Sequence, residues 1–162
     1  MWKVKKSKVH GSGIFATVDI KKDTKIIEYI GEKITRAEGD RRSEKRIKKY
    51  LNSKKTGSVY IFELNRKFDI DGSLLYNKAR YINHSCNPNC EVDILDNKIW
   101  ISSIKKIKKG EELSYDYGYG FDRSDFRDHI CKCGSKNCIG FIISSDDWPK
   151  YLKYIKGIVK NR

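Results

Sequence analysis

The sequence predicts an irregular, mostly β protein that carries one charged helical insert and one C-terminal helix. Short β-branched segments bounded by turn residues recur along most of the chain, as in 25–30 and 59–64. Residues 36–51 are instead rich in Glu, Lys and Arg, and apolar residues recur at helical spacing over 147–159. Strands and helices do not alternate regularly, so the pattern does not indicate a parallel βαβ array.

The first 35 residues are predicted to form short strands separated by turns. Residues 2–4 alternate, a glycine-rich turn follows at 10–13, and a strand resumes at 14–16. The β-branched segment 25–30 predicts a strand that ends at Gly31. The glycine turn lacks the third glycine and the following helix of a dinucleotide-binding fingerprint, so that interpretation is rejected.

The charged segment 36–51 predicts a solvated helix with a weak apolar face. That face would consist of Ala37, Ile47, Tyr50 and Leu51. A loop is predicted at 52–57, strands at 59–64 and 68–72, and a short helix at 77–82.

Two further strands are predicted at 92–95 and 99–101, and the Asp96-Asn97 pair between them indicates a hairpin. Residues 111–119 are strand-like and rich in tyrosine, and a polar connector follows Gly120.

The final helix is predicted from Asp147 to Val159, with Pro149 in its first turn and Ser145 or Asp146 as its N-cap. Its apolar face is too large to remain in water and must dock on the rest of the protein. That face consists of Trp148, Tyr151, Leu152, Ile155, Ile158 and Val159.

The chain has 162 residues, which fit one domain or one domain with a small appendage. Its formal net charge of +14 predicts attraction to nucleic acid, anionic membranes or acidic proteins. Most of that charge is lysine in a chain also rich in Ile and Asn, so lysines accumulated through AT-biased codon usage are the simpler interpretation. The sequence contains no visible stripe of basic residues interleaved with stacking aromatics.

No apolar run is long enough to span a bilayer, and no signal peptide is recognisable. A soluble, intracellular protein without a membrane partner is therefore expected. In such a protein five cysteines are not expected to form disulfides.

Three of the cysteines are clustered, which indicates a metal site. Cys131, Cys133 and Cys138 supply three thiolates, and either Cys86 or Cys90 is available as the fourth ligand. A closed four-cysteine zinc site would be structural, because it leaves no position for a substrate. The alternative is a set of free, buried cysteines.

The stretch 80–90 combines a basic residue, an aromatic, two hydrogen-bonding side chains and two thiols around a turn at Asn87-Pro88-Asn89. Further along, Tyr115, Tyr117 and Tyr119 are predicted on one face of a strand. They form either a core aromatic stripe or a set of hydroxyls that hold a ligand amine.

Five motifs in this chain resemble those of the SET-domain protein lysine methyltransferases, and they occur in the family's order. They are 10–16 (HGSGIFA), 28–32 (EYIGE), 80–90 (RYINHSCNPNC), 110–117 (GEELSYDY) and the post-SET cysteine run 131–140. One such motif would be weak evidence, but five in order across roughly residues 3–142 are highly specific.

The resemblance implies a SET fold of several small antiparallel sheets with a pseudoknot, in which the central loop and the segment 112–117 thread together. The SET domain would span 1–119 with a helical insert at about 36–76. A connector and zinc-bound post-SET segment at 120–144 and a C-terminal helix at 145–162 would follow.

The resemblance also implies roles for individual residues. Tyr117 matches the catalytic tyrosine, Tyr29 a second pocket tyrosine, and Tyr115 the position that sets how many methyl groups are added. Cys86 matches the fourth zinc ligand, which leaves Cys90 as a packed thiol. Binding of S-adenosylmethionine is assigned to Gly11, Ser12, Gly13, Arg80, Tyr81, Asn83, His84, Phe141 and Ile142.

The implied function is transfer of a methyl group from S-adenosylmethionine to a protein lysine, mainly giving mono- and dimethyllysine and S-adenosylhomocysteine. The substrate would be a histone or another basic protein, such as a DNA-packing or ribosomal protein. A monomer is expected, in the nucleus if eukaryotic and in the cytoplasm or nucleoid otherwise.

The alternative function is a non-catalytic, zinc-containing basic module that binds nucleic acid or chromatin-like assemblies. The intact set of Tyr29, Asn83, His84 and Tyr117 argues against this alternative. Direct binding of nucleic acid by the enzyme is left open.

Overall fold

The computed structural model describes residues 1–53 and 60–160, and within them the chain forms ten β-strands and two α-helices. The strands are β1 (Trp2–Lys6), β2 (Ser12–Ala16), β3 (Lys25–Tyr29), β4 (Glu32–Thr35), β5 (Ile61–Glu63), β6 (Phe68–Asp71), β7 (Asn83–His84), β8 (Cys90–Leu95), β9 (Lys98–Ser103) and β10 (Ser114–Tyr115). The helices are α1 (Arg36–Ser53) and α2 (Trp148–Lys160), and 3₁₀ turns lie at Lys78–Tyr81, Phe126–Asp128 and Ser145–Asp147. Within the described ranges, no helix is long and apolar enough to cross a membrane.

The strands form four small sheets, which confirms the predicted fold class. β1 pairs with β2, β3 with β9 and β8, and β6 with β4 and β5. The fourth sheet contains β7 and β10, which run parallel and pair Asn83 with Ser114 and His84 with Tyr115. This pairing joins the two segments that the resemblance implies are threaded together.

The described chain divides into two units. The first comprises Met1–Asp23, Ile82–Glu91 and Ser103–Arg162, and the second comprises Thr24–Tyr81 and Val92–Ser102. All five cysteines, β7, β10 and α2 belong to the first unit, whereas Tyr29, Arg80, Tyr81 and α1 belong to the second.

In the first unit, β2 is flanked by β1 and by the segment that leads into β10. The Leu113 N–H donates to the Ile14 carbonyl over 2.7 Å, and an isolated bridge joins Phe15 to Glu112. Ile14 and Leu113 are completely buried, so this pairing contributes to the hydrophobic core of the unit. It brings Glu112 beside Gly13, near the start of β2.

The helix α2 docks on the first unit through an aromatic cluster, as its apolar pattern predicts. The buried members of the cluster are Phe126, Ile143 and Tyr151. Leu152 and Val159, which were expected on the docked face, are exposed. The face of α2 that packs on the aromatic cluster is therefore narrower than the sequence pattern indicates.

The start of α2 differs from the prediction. The helix begins at Trp148, so the expected N-caps Ser145 and Asp146 lie within the preceding 3₁₀ turn. Asp147 precedes the helix directly, and its carboxylate accepts hydrogen bonds from the Phe121 N–H and the Lys150 ammonium. A carboxylate at this end of a helix also interacts favourably with the helix dipole.

In the second unit, α1 is attached to its sheet by charge. Asp71 on β6 accepts hydrogen bonds of 2.8 Å from both Arg42 and Arg46, and Asp69 accepts one of 2.9 Å from Arg36. Both carboxylates are buried. The weak apolar face of α1 explains why ion pairs dominate its attachment.

The hairpin between β8 and β9 confirms the turn predicted at Asp96 and Asn97. Their φ angles are +52° and +57°, the left-handed conformation that Asp and Asn tolerate and that two-residue hairpin turns require. The strand predicted over 111–119 is shorter than expected, since β10 contains two residues. Gly118, with φ +70°, takes the chain out of extended conformation soon afterwards.

Some predictions fall wholly or partly outside the described residues. They concern the loop at 52–57, the start of a strand at Val59, and the side chains of Tyr50 and Leu51.

Candidate functional site

Asn83 anchors the central loop to the glycine turn of the first unit. Its Nδ2 donates to the Glu112 carboxylate over 2.7 Å, to the Ser12 carbonyl over 3.1 Å and to the His10 carbonyl over 3.4 Å. Asn83 is buried, and its amide hydrogens therefore need these acceptors. The two cofactor segments predicted from the sequence, 11–13 and 83–84, are thus brought together.

Glu112 is a residue of this site that the sequence reasoning missed. Its carboxylate accepts hydrogen bonds from the Ser7 hydroxyl at 2.8 and 2.9 Å as well as from Asn83. A Cβ atom at Gly13 would collide with this carboxylate. A side chain at 13 would displace the Glu112 carboxylate from this position, and that signal is visible only once the strands are paired.

His84 connects the central loop to the tyrosine-rich segment. Its Nδ1 accepts a hydrogen bond from the Tyr117 N–H over 3.3 Å, and its Nε2 lies 3.6 Å from the Cys86 sulfur. Burial lowers the pKa of His84, although the Asp116 carboxylate at 3.8 Å acts in the opposite direction. A neutral ring that carries its proton on Nε2 satisfies both contacts.

Tyr117 has a fixed ring and a directed hydroxyl. The hydroxyl donates to the Ile82 carbonyl over 3.1 Å. The ring centroid lies 5.4 Å from that of His84, 5.0 Å from that of Tyr115 and 5.9 Å from that of Tyr119. The three tyrosines predicted to share a face therefore do pack in series, although only Tyr115 lies in a strand.

Tyr29, the expected second pocket tyrosine, lies in the second unit. It is buried, its hydroxyl donates to the Tyr60 carbonyl over 3.0 Å, and its ring packs at 4.7 Å on Phe62. A Cβ atom at Gly72 would collide with the Tyr29 ring. The ring is thus held tightly within its own unit, and its assigned role stays a prediction.

Arg80 and Tyr81, predicted to lie beside the cofactor, close the 3₁₀ turn of the second unit. The Arg80 guanidinium donates to the Ser73 carbonyl and lies 4.0 Å from the Tyr60 ring centroid. Its distance from the Tyr81 ring centroid is 5.5 Å. These contacts show Arg80 supporting its own unit, and the cofactor role of both residues stays a prediction.

The cysteine cluster contains the three clustered thiols and Cys86. The sulfur atoms of Cys86, Cys131, Cys133 and Cys138 all lie within 4.8 Å of one another. Cys90 is buried and its thiol donates to the Asn89 side-chain carbonyl over 3.5 Å. Of the two candidates that spacing left open, Cys86 therefore lies in the cluster, and its role as a metal ligand stays a prediction.

The donor set of this cluster fits a zinc ion. Burial raises the pKa of Cys86 to about 12. Burial opposes ionisation of Cys133 too, but hydrogen bonds from the Ser135 hydroxyl and the Cys86 N–H lower the pKa of Cys133 to about 6. Four thiols at this spacing repel one another as thiolates, and a divalent cation would stabilise all four in that form.

Backbone contacts tie the cysteine segment to the central loop and to the residues after it. The Asn137 side chain donates to the Cys86 carbonyl over 3.0 Å. The Cys131 N–H donates to the Gly140 carbonyl, and the Ile142 N–H donates to the His129 carbonyl. This ladder positions the residues predicted to cover adenine.

Phe141 and Ile142, the predicted adenine cover, are half-buried. The Phe141 ring packs edge-to-face on Phe126 at 4.9 Å, and Phe141 forms an isolated bridge with Ile130. Phe141 thus belongs to the aromatic cluster that docks α2, and it connects the cysteine segment to that helix.

Comparison with known proteins supports the family resemblance of the sequence motifs. A protein-family model described as "SET domain" matches residues 11–118. Histone-lysine N-methyltransferase trr of Drosophila melanogaster is 49% identical over 138 residues, which are 82% of this chain and 5% of that protein. Histone-lysine N-methyltransferase 2D of Homo sapiens is 40% identical over 137 residues, 82% of this chain and 2% of that protein.

A fungal relative gives a similar result. "Histone-lysine N-methyltransferase, H3 lysine-4 specific" of Emericella nidulans is 38% identical over 143 residues, which are 85% of this chain and 11% of that protein. The chain therefore spans only a small part of the length of these relatives.

Proposed function

The chain belongs to the SET-domain family, and from this membership we propose that it is a protein-lysine N-methyltransferase that uses S-adenosylmethionine. The observation that carries the proposal is the parallel pairing of β7 with β10. This pairing sets Asn83 and His84, assigned to the cofactor, directly beside the segment that contains Tyr115 and Tyr117.

Tyr117 is proposed to orient the substrate amine. Its hydroxyl is directed by the Ile82 carbonyl, and its ring is fixed between His84 and Tyr115. A lysine ammonium must lose a proton before it can attack, and its ordinary pKa is about 10.4. Desolvation in a narrow channel lowers that pKa, and positioning alone can contribute about 7–11 kcal/mol.

Binding of the cofactor is assigned to the glycine turn, Asn83 and His84, with Phe141 and Ile142 covering the adenine. When bound, S-adenosylmethionine supplies an electrophilic methyl group on a positively charged sulfur. The Glu112 carboxylate holds the Asn83 amide in place. Arg80, Tyr81 and Tyr29 are assigned by resemblance, as residues beside the cofactor and in the lysine pocket.

The proposed substrate is a lysine of a histone or of another basic protein. The names of the fly, human and fungal relatives support a histone substrate. We propose mono- and dimethyllysine as the main products, because the Tyr115 hydroxyl would occupy space that a third methyl group needs. A histone substrate would place the protein on chromatin.

One structural zinc ion is proposed for the four-cysteine cluster. The spacing of the four sulfur atoms and the backbone N–H groups that donate to them support this assignment. The closed ligand set leaves the ion no part in methyl transfer.

The proposal is tested by transfer of a tritiated methyl group from S-adenosylmethionine to purified core histones. We expect wild-type protein to label a histone, and Tyr117→Phe to lose most of the turnover while it retains cofactor binding in calorimetry. Tyr151→Phe, which removes a hydroxyl from the aromatic cluster, serves as the matched control and should remain active. An unchanged rate in Tyr117→Phe would contradict the role of Tyr117. Absence of transfer from wild type, with salt-sensitive nucleic-acid binding, would favour the non-catalytic module.

A further inference from the structure

An open groove of about 640 Å³ lies beside α2 in the first unit. Its lining comes from two separate segments, the start of the connector and one face of the helix. The main lining residues are Phe121, Arg123, Lys150, Lys153, Tyr154 and Gly157. The proposed methyl transfer uses none of them.

The groove carries concentrated positive charge. The helix α2 contains four lysines and no acidic residue. Lys150 pairs with Asp147, but within the described part of the chain neither Arg123 nor Lys153 has a carboxylate partner. Cations without local counter-charges are available to bind an external anion.

Aromatic surface lies beside these cations. The Phe121 and Tyr154 ring centroids are 5.6 Å apart, and the Arg123 guanidinium lies 5.2 Å from the Tyr154 centroid. Both rings are half-buried, so part of each reaches the groove. A Cβ atom at Gly157 would meet no atom within 4 Å, which shows that the space above this helix position is open.

We propose that this groove binds single-stranded nucleic acid, with a base on the Phe121–Tyr154–Arg123 surface and phosphates at Lys150 and Lys153. Base stacking on aromatic rings and guanidinium planes, combined with a basic track for the backbone, characterises sequence-tolerant single-strand sites. The groove volume suits one nucleotide, since ligand pockets span about 300–1,000 Å³. An acidic peptide would satisfy the cations but would leave the aromatic surface without a matching planar group.

The test is fluorescence anisotropy of a labelled single-stranded oligonucleotide of about 12 nucleotides with the full chain, because single-strand sites span about 4–16 nucleotides. Gly157→Leu fills the groove without a change in charge and places a better helix former in α2. We expect it to weaken binding about tenfold, the loss of roughly one stacked base. Circular dichroism melting verifies that each variant is folded.

Lys153→Gln provides the electrostatic arm of the test, with Lys45→Gln in α1 as its matched control. Both lysines are exposed on a helix and both substitutions remove one charge. We expect Lys153→Gln to weaken binding and to reduce the slope of log affinity against log salt by about 0.7, whereas Lys45→Gln leaves both nearly unchanged.

Three outcomes would overturn the proposal. Equal effects of Lys153→Gln and Lys45→Gln would show attraction by net charge only. Unchanged binding in folded Gly157→Leu would show that the groove is not the site. Displacement of the oligonucleotide from the groove by a polyglutamate peptide at lower concentration than by unlabelled oligonucleotide would identify an acidic peptide as the preferred occupant.

Discussion

Glu112 shows how one partly buried carboxylate connects segments of the proposed site. Its carboxylate receives hydrogen bonds from Ser7 and Asn83, and a side chain at 13 would displace it from this position. A hydrogen bond to a charged group contributes about 1.5–3 kcal/mol, so this carboxylate has a large influence on the loop that carries Asn83.

We predict that Glu112→Gln weakens binding of S-adenosylmethionine about tenfold or more, because a glutamine amide presents one acceptor where two donors converge. Isothermal titration calorimetry measures the effect. Glu111→Gln is the matched control, because Glu111 is exposed and its variant should bind the cofactor like wild type. Equal affinity in the two variants would remove Glu112 from the proposed site.

Tyr115 provides a second test at the residue scale. It is buried and packs on Tyr117, so removal of its hydroxyl opens space without removal of the ring. We predict that Tyr115→Phe shifts the product toward trimethyllysine, measured by mass spectrometry of the modified peptide. Dominant trimethyllysine from wild type, or an unchanged product distribution in the variant, would refute the assignment.

At the scale of elements, α1 depends on buried charge for its attachment to β6. Burial alone would raise the pKa of Asp71, but hydrogen bonds from Arg46 and Arg42 outweigh it and hold that pKa well below its usual range. The same arginines are partly exposed, which moderates the strength of the ion pairs. The insert is therefore attached by a few strong contacts on two buried carboxylates, and Asp71 receives two of the arginines.

We predict that Asp71→Asn lowers the free energy of unfolding by about 3 kcal/mol, since removal of one partner leaves the other charges uncompensated. Urea denaturation measures the change. Glu44→Gln removes a carboxylate from an exposed pair with Lys48 and should change stability by less than about 1 kcal/mol. Similar losses in both variants would contradict the special role of Asp71.

This stabilisation should also depend on pH. Because the folded pKa of Asp71 is lowered, its contribution is present above the ordinary Asp pKa of about 3.9 and is lost as the pH falls below that value. The difference in stability between wild type and Asp71→Asn should shrink correspondingly in acid.

At the scale of the whole molecule, the cysteine cluster joins distant parts of the first unit. Cys86 follows β7, whereas the other three thiols lie in the sequence between Phe126 and Ile143 of the aromatic cluster on which α2 docks. Metal binding at this cluster would thus couple the loop proposed to bind the cofactor to the C-terminal segment. The coupling is a consequence of chain connectivity as well as of ligand chemistry.

We predict that Cys86→Ala loses zinc and Cys90→Ala retains it, as measured by elemental mass spectrometry of the purified proteins. Chelation of zinc from wild type should increase hydrogen exchange from about residue 130 onward and weaken cofactor binding. The reason is that the free energy of metal binding contributes to the folding of such sites. Zinc in Cys86→Ala, or full activity after proven removal of zinc, would contradict the assignment.

The net charge of +14 bears on the proposed histone substrate at the same scale. If the protein acts on a basic protein such as a histone, its own positive charge supplies no long-range attraction to that substrate. Binding to nucleic acid through the groove beside α2 would bring the enzyme to basic proteins that are themselves bound to nucleic acid. Nucleic-acid binding in the groove would therefore account for the positive charge, which methyl transfer alone does not explain.

The sequence by itself determined the local elements and the residue types of the site. Local sequence is enough to predict three features. They are the turn with positive φ at Asp96 and Asn97, the charged helix and the three clustered thiols. The length of the strand at Tyr115 did not follow, because pairing with β7 rather than local propensity limits it.

Tertiary structure alone decided which distant groups meet. Cys86 instead of Cys90 completes the cluster, Glu112 reaches Asn83, and residues 121–123 meet α2 to form the basic, aromatic groove. The prediction that no stripe of interleaved Lys and aromatic residues occurs is wrong for 148–156, where Lys alternates with Trp and Tyr, and the groove adds Phe121 and Arg123 from a second segment. The physical reason is that burial and strand pairing select long-range neighbours, which residue spacing does not encode.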